Sequence, residues 1–197
     1  MASPTKTPSV WFSLSHHDRY RRLQKIRRVW GRCHYGKQGD IRGRVVHLDG
    51  TWITDVPSFH LSLGEAINGL NGYFGGCLDS LNDCLCGSFG VLPPLTIVLS
   101  HFDEVRDTLD DRSWRRFRAE SFHEAVAKGA NAEELVRWGY FPDDSEAAVG
   151  RWTAIYAAAL AGEPCDSDGF GSYFDAVLEV FAERGVELIP VNEAASE

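Results

Sequence analysis

The sequence predicts an α/β fold in which a small parallel sheet of three strands packs with helices. Three segments have strand character: RVVHLDG at 44–50, PPLTIVLS at 93–100 and VELIPV at 186–191. Between them lie stretches whose apolar residues recur at helical spacing. Alternation of strands with helices is typical of a parallel sheet. The second segment is apolar without alternation, which predicts a strand buried on both faces.

Turn and cap signals predict the first half of this fold. The first strand ends at Asp49-Gly50, and Ser58 is the predicted cap of the helix that follows. A glycine-rich loop covers residues 69–76. Apolar residues at helical spacing then predict a second helix that ends at Gly87: Leu78, Leu81 and Leu85.

The second half of the fold follows the strand at 93–100. A short helix is predicted at 102–109. Much later, Ser172 can cap a helix that runs to Gly185 and leads into the last strand.

Residues 110–171 separate these two parts and contain three helical stretches. Their predicted N-terminal caps are Ser113, Asn131 and Ser145. We therefore expect one domain at 44–191, interrupted by a helical insertion at about 110–171 and followed by a tail at 192–197.

Charge sets the N-terminal part of the chain apart from the rest. Residues 1–44 hold 11 Lys or Arg against two Asp or Glu, and residues 45–197 hold nine against 26. The net charges are therefore +9 and −17, which add to the −8 of the whole chain. An acidic body attracts basic partners and repels nucleic acid. Residues 1–43 form a basic extension in this interpretation, with one apolar helical stripe: Tyr20, Leu23, Ile26 and Trp30.

Composition argues against several classes of protein. No apolar run approaches the roughly 20 residues of a membrane span, and the N-terminus lacks the apolar region of a signal peptide. We therefore expect a cytoplasmic protein without membrane contact. Five cysteines, an odd number, imply no disulfide framework. We expect no cofactor and no metal, because neither candidate group has zinc-site spacing: Cys77, Cys84 and Cys86, or His16, His17, Cys33 and His34.

A specific motif lies in GYFGGCLDSLNDCLCG, at residues 72–87. It combines an aromatic pair, a glycine and a helix patterned L-D-x-L-x-D-C-L before a closing glycine. This motif, with the order of strands and helices around it, resembles the barstar family of intracellular ribonuclease inhibitors. The matching positions are Tyr73, Phe74, Gly75, Leu78, Asp79, Leu81, Asp83, Cys84, Leu85 and Gly87.

The resemblance implies both a fold and a function. It implies a barstar-like layer of three parallel strands packed with helices. It also implies a non-enzymatic protein that binds a basic ribonuclease of the guanyl-specific type. An acidic helix and the preceding loop would occlude the cleft where RNA phosphates bind, to protect the host cell or to give immunity against a ribonuclease toxin. We expect a monomer when the protein is free.

Helical spacing groups four residues of the motif on one stripe. Asp79, Asn82, Asp83 and Cys86 fall at i, i+3, i+4 and i+7. The leucines fall on another stripe, so they would hold the helix on the sheet and turn both carboxylates outward.

The resemblance assigns roles to these and neighbouring residues. Asp83 corresponds to the main acidic anchor, Asp79 to a second one, and Tyr73 to a contact aromatic that we expect to be exposed beside a buried Phe74. The last helix of the family adds an acidic contact, for which Glu179 is the nearest candidate. The predicted ribonuclease-binding residues are Tyr73, Gly75, Asp79, Asn82, Asp83, Cys86, Gly87 and Glu179.

Three positions depart from the family pattern. Asn82 stands where the type protein has tryptophan, Cys77 where it has asparagine and Cys86 where it has threonine. The missing aromatic favours a target different from the best-known one.

Other interpretations of the chain remain open. Ten basic residues lie between Arg19 and Arg44, interleaved with aromatics, so residues 19–44 could bind nucleic acid while the barstar-like domain binds protein. The basic segment could instead fold over the acidic helix and mask it, or translation could begin near residue 40. An enzyme that uses Asp79 and Asp83 as paired carboxylates is disfavoured, because no nucleophile motif, phosphate loop or metal triad accompanies them.

Overall fold

The computed structural model of the protein describes residues 10–33, 39–164 and 171–192, without the side chains of 31–33. His34, the side chain of Cys33 and most of the expected tail lie outside the described residues. The elements, in chain order, are α1 (His16–Cys33), β1 (Ile41–Leu48), a 3-10 turn (Gly50–Trp52), α2 (Val56–Asn68), α3 (Leu78–Cys84), β2 (Val91–Ser100), α4 (Phe102–Thr108), α5 (Asp111–Ala127), α6 (Ala132–Arg137), α7 (Glu146–Ala161), α8 (Tyr173–Arg184) and β3 (Val186–Val191).

The three strands form one parallel sheet in the order β1-β2-β3, which confirms the predicted α/β class. Ile97 of the central strand aligns with Val46 on one side and Leu188 on the other. One face of β2 is buried and the other is only half-buried. The expectation of burial on both faces is therefore wrong, because the second face borders the exposed side chains of Val45 and Ile189.

Two compact units make up the chain: Met1–Thr108 with Phe174–Glu197, and Leu109–Tyr173. The first unit contains the sheet, and the second has its own core. That second core consists of Ala119, Leu135, Tyr140, Phe141, Tyr156 and Ala159. No helix in the described part of the chain is both long enough and apolar enough to cross a membrane.

A capping box begins α2. The Asp55 carboxylate accepts a hydrogen bond from the Ser58 backbone amide at 2.8 Å, and the Ser58 hydroxyl accepts one from the Asp55 amide at 2.9 Å. The prediction of Ser58 as the cap is therefore wrong by three residues, because Pro57 extends the first turn toward Asp55.

The same displacement occurs at α5. Its cap is Asp110, whose carboxylate accepts a hydrogen bond from the Ser113 backbone amide. The predicted caps Asn131 and Ser145 are confirmed for α6 and α7.

The basic helix α1 packs within the first unit. Its predicted apolar stripe is buried, which confirms the helical interpretation: Tyr20, Leu23, Ile26 and Trp30. Its first turn is bound to the start of α2, since His16 Nδ1 and Arg19 Nη2 lie 3.0 and 2.7 Å from Asp55 Oδ2. Apolar packing, the ion pair of Arg19 with Asp55 and the hydrogen bond between His16 and Asp55 therefore hold α1 in place.

Candidate functional site

Helix α3 presents its acidic residues outward, as the spacing predicts. Leu81, Cys84 and Leu85 are buried. Asp79 and Asp83 are exposed on the opposite side, as is Cys86 just beyond the helix, while Asn82 is half-buried. No salt bridge joins either carboxylate to another described residue. The outer face of α3 is therefore an acidic surface open to a partner.

The start of α3 is fixed by hydrogen bonds to one serine. The Ser80 hydroxyl accepts from the backbone amides of Gly76 and Cys77, at 2.7 and 3.0 Å. It also donates to the Cys77 carbonyl at 3.1 Å. These bonds satisfy amides that the first helical turn leaves without an intrahelical partner, so they define where the helix begins.

Gly75 ties the preceding loop to the body. Its φ is +83°, and a Cβ there would lie 2.7 Å from Leu81 Cα, so only glycine fits. Its backbone forms hydrogen bonds with the His60 ring and the Cys84 thiol.

Burial perturbs the pKa values of both groups that hold this glycine. Desolvation lowers the pKa of His60 to about 3, although the bond to Gly75 opposes it. Burial likewise raises the pKa of Cys84 to about 12, against the opposing bond from Gly75. Both groups are therefore neutral near pH 7.

Tyr73 is buried, with 5% of its surface exposed, so the expectation of an exposed contact aromatic is wrong. Its ring lies 6.2 Å from that of Phe89, which itself stacks on Trp30 of α1 at 6.3 Å. Burial raises the pKa of Tyr73 to about 12. The sequence could not reveal this burial, because the helix that contributes to it lies about 50 residues earlier. Phe74 is fully buried, as predicted.

The chain that leaves α3 is held by Asp40. Its carboxylate accepts from three successive backbone amides, those of Ser88, Phe89 and Gly90, at 2.8 to 3.2 Å. Gly87 has a φ of +119°, and a Cβ there would lie 3.0 Å from Asp40 Oδ2. Gly87 therefore serves backbone conformation, but α3 ends at Cys84, three residues before the predicted stop, and Leu85 is its C-cap.

The last helix contacts α3 through a cation rather than an acid. Arg184 Nε donates to Asn82 Oδ1 at 2.5 Å. Glu179 is exposed on α8 and lies five residues, or about 140° of helical turn, away from Arg184. Among the described residues, no hydrogen bond or salt bridge joins Glu179 to the acidic surface, whereas Asp79, Asp83 and Cys86 share it.

Sequence reasoning missed three residues that shape the site: His60, Asp40 and Arg184. A basic residue in the last turn of a helix was a visible signal for Arg184. His60 lies amid apolar helix positions and Asp40 precedes the first strand, so neither had a local signal for its distant partner.

Among the described residues, no group of three or more His, Cys, Asp or Glu side chains is placed to hold a metal ion. The described cysteines Cys77, Cys84 and Cys86 are free thiols. The surface combines fixed backbone with outward carboxylates, which can bind a cationic partner.

Residues 43–137 match a family model described as Barstar (barnase inhibitor). This confirms the predicted resemblance for that region, which is a little under half of the chain. The match runs from within β1 to the end of α6 and includes α3. No curated protein and no solved structure gives a significant match to the chain.

Proposed function

We propose that the barstar-family region at residues 43–137 makes this protein an inhibitor of a basic ribonuclease. The acidic surface of α3 would occupy the cleft where RNA phosphates bind, so inhibition would be steric and electrostatic and would need no cofactor. The inhibitor would act in the cytoplasm, either protecting the cell from its own ribonuclease or giving immunity against a toxin.

The observation that carries this proposal is the exposure of Asp79 and Asp83 on a helix whose other side is buried. Two like charges at i and i+4 destabilise an isolated helix by a few tenths of a kcal/mol. A cationic partner would remove that repulsion, and the rigid mounting of α3 would limit the entropy lost on binding.

The buried position of Tyr73 changes the proposed contact surface. Direct contacts would come from Asp79, Asn82, Asp83 and Cys86, whereas Tyr73 would position the loop from inside. Gly75 and Gly87 would act through backbone conformation.

We also propose that the family fold is interrupted rather than continuous. The strand that completes the sheet, β3, comes from Val186–Val191, well after residue 137. The separate helical unit Leu109–Tyr173 supports an insertion at about 110–171, although the family match extends into it as far as residue 137. The basic extension at 1–43 lies outside the family match except for its last residue.

A titration tests the inhibitor proposal. A purified basic guanyl-specific ribonuclease would be mixed with the protein, and RNA cleavage followed at low and high salt. We expect inhibition by the wild type, weaker at high salt. Asp83→Ala should weaken binding by about 2–5 kcal/mol if the carboxylate is buried against a cation.

Glu104→Ala is the matched control, because it removes one exposed carboxylate from α4 and leaves α3 intact. The proposal fails for this enzyme if the wild type does not inhibit. It also fails if Asp83→Ala and Glu104→Ala inhibit equally well.

A second candidate function is nucleic-acid binding through residues 19–44. Lys25 and Arg28 are exposed on the side of α1 opposite its buried stripe. Deletion of residues 1–43 is a poor test, because α1 contributes buried side chains. The double variant Lys25→Ala, Arg28→Ala should instead weaken binding to fluorescently labelled RNA and reduce its salt dependence. Unchanged RNA affinity in that variant would reject this role for α1.

A further inference from the structure

The helix α1 runs beside the loop that leads into α3. Arg22 Nη2 donates to Asn71 Oδ1 at 2.6 Å. A Cβ on Gly76 would lie 3.7 Å from both Leu23 Cγ and the Tyr73 hydroxyl. The middle of α1 therefore runs beside the loop that leads into the acidic helix, although α1 lies outside the family match.

Arg27 is the cation that α1 brings to this border. It lies one turn after Leu23, on the side of α1 that faces the body, yet its side chain is exposed. It lies between Leu23, which is beside Gly76, and Trp30, whose ring stacks on that of Phe89, so α1 contacts the chain before and after α3 on either side of Arg27. The charge of Arg27 also makes a minor contribution to the pKa values of the buried groups Tyr73 and Cys84. Within the described parts of the chain, no salt bridge joins Arg27 to an acidic residue.

The position of Arg27 is set by a fixed helix rather than by a loose arm. Trp11 and the stripe from Tyr20 to Trp30 are buried, and Asp55 binds the first turn of α1. A partner that docks on Asp79 and Asp83 would therefore meet this guanidinium at the edge of the contact. The Arg27 side chain can change its rotamer, but the packing of α1 fixes the position of its backbone.

We propose that Arg27 is a specificity-determining residue, which disfavours ribonucleases with a uniformly basic cleft rim and favours one that places a carboxylate opposite it. This inference rests on the inhibitor function proposed above. A basic rim would face a like charge at short distance, where the charges are less screened than in open solvent. A rim carboxylate would turn the same contact into an ion pair.

The first experiment measures affinity by titration calorimetry, without RNA, for a basic guanyl-specific ribonuclease with no carboxylate at its cleft rim. Arg27→Ala should bind roughly threefold to tenfold more tightly than the wild type, and Arg27→Glu more tightly still. Arg21→Ala is the control, because it removes the same charge from the outer side of α1 and should change affinity less than about twofold. The gain from Arg27→Ala should shrink at high salt.

The second experiment changes the ribonuclease. Rim Lys or Arg residues would be replaced by Glu one at a time, and each variant titrated with wild type and with Arg27→Ala. At least one replacement should strengthen binding to the wild type relative to Arg27→Ala. The inference would be overturned if no rim replacement strengthened binding to the wild type relative to Arg27→Ala. It would also be overturned if Arg27→Ala bound the unchanged ribonuclease no more tightly than the wild type does.

The outcomes separate the two proposals. Suppose that the wild type binds, that Asp83→Ala abolishes binding and that Arg27→Ala leaves the affinity unchanged. This result would support the inhibitor function and reject the role of Arg27. No binding by the wild type, Arg27→Ala or Arg27→Glu would reject both for that enzyme. Binding by Arg27→Glu alone would support the role of Arg27 as a barrier.

Discussion

Arg184 at the end of α8 donates a hydrogen bond to Asn82 on α3, joining residues 102 positions apart. The family resemblance implies that this contact lies at the position where the type protein carries a tryptophan. The amide oxygen of Asn82 therefore binds within the molecule, so a direct contact of this side chain with a partner would use its other atoms.

Loss of this contact should destabilise the fold modestly. Asn82→Ala and Arg184→Ala should each lower the free energy of unfolding by about 1–2 kcal/mol, since a half-buried hydrogen bond to a charged group is lost. The double variant should lose less than the sum of the two, because both changes remove the same bond. Urea denaturation measures all three, and strictly additive losses would contradict the contact.

Gly75→Ala should be far more damaging than the same change at another left-handed glycine. Gly69 has a φ of +77° but open space around its Cβ position, whereas a Cβ on Gly75 would overlap the Leu81 backbone. We expect a loss of about 1–2 kcal/mol for Gly69→Ala, from backbone conformation alone, and about 3 kcal/mol or more for Gly75→Ala. Equal losses would show that the close approach to α3 is unimportant.

Asp55 should make stability depend on pH in the acid range. Burial raises its pKa, but bonds from His16 and the Ser58 amide, with the charge of Arg19, outweigh burial and lower it to about 2. The ordinary value is 3.8, so Asp55 stabilises the fold fully above about pH 4 and loses that contribution as pH falls toward 2.

The contribution of this pKa shift is about 2 kcal/mol. Thermal unfolding between pH 2 and pH 5 should therefore show a steeper loss in the wild type than in Asp55→Asn. Glu104→Gln, an exposed change, should follow the wild type. Parallel profiles for the wild type and Asp55→Asn would contradict the assignment.

Two neighbouring cysteines should differ sharply toward a maleimide reagent. Cys86 is exposed, whereas burial raises the pKa of Cys84 to about 12 and shields the thiol. In the native protein we expect Cys86 to react at least about 100-fold faster. A bound ribonuclease should protect Cys86, as peptide mass spectrometry can report. Cys86→Ser should remove the fast-reacting site, and labelling of Cys86 that is unchanged in the complex would place the interface elsewhere.

The packing of α1 predicts a large cost for truncating its buried stripe. Leu23→Ala should lower the free energy of unfolding by about 2–5 kcal/mol, since it leaves a cavity against the body. Val29→Ala, on the exposed side of the same helix, should cost less than about 0.5 kcal/mol. A small effect of Leu23→Ala would mean that α1 is readily detached.

Local periodicity predicted the elements of the sheet and the outward carboxylates of α3, because those features depend on neighbours within one or two turns. The burial of Tyr73 could not be predicted this way. The stripe on α1 was visible in the sequence, but its docking position beside the loop at 69–76 depends on contacts between distant segments.

Cap residues show a finer limit of sequence reasoning. Serine and aspartate both satisfy the first amides of a helix, and three residues separate Asp55 from Ser58. In a capping box, the side chain of each residue accepts a hydrogen bond from the backbone amide of the other. The sequence pattern alone therefore does not decide which of the two residues begins the helix.

The hold on Gly75 has a consequence for every binding measurement on this protein. His60 and Cys84, which form hydrogen bonds with its backbone, have pKa values of about 3 and about 12. Neither gains or loses a proton across the range in which such assays are run, so these two contacts on the loop keep one form from pH 5 to pH 9. If the affinity for a partner changes with pH in that range, the change must come from ionisable groups other than His60 and Cys84, including those of the partner.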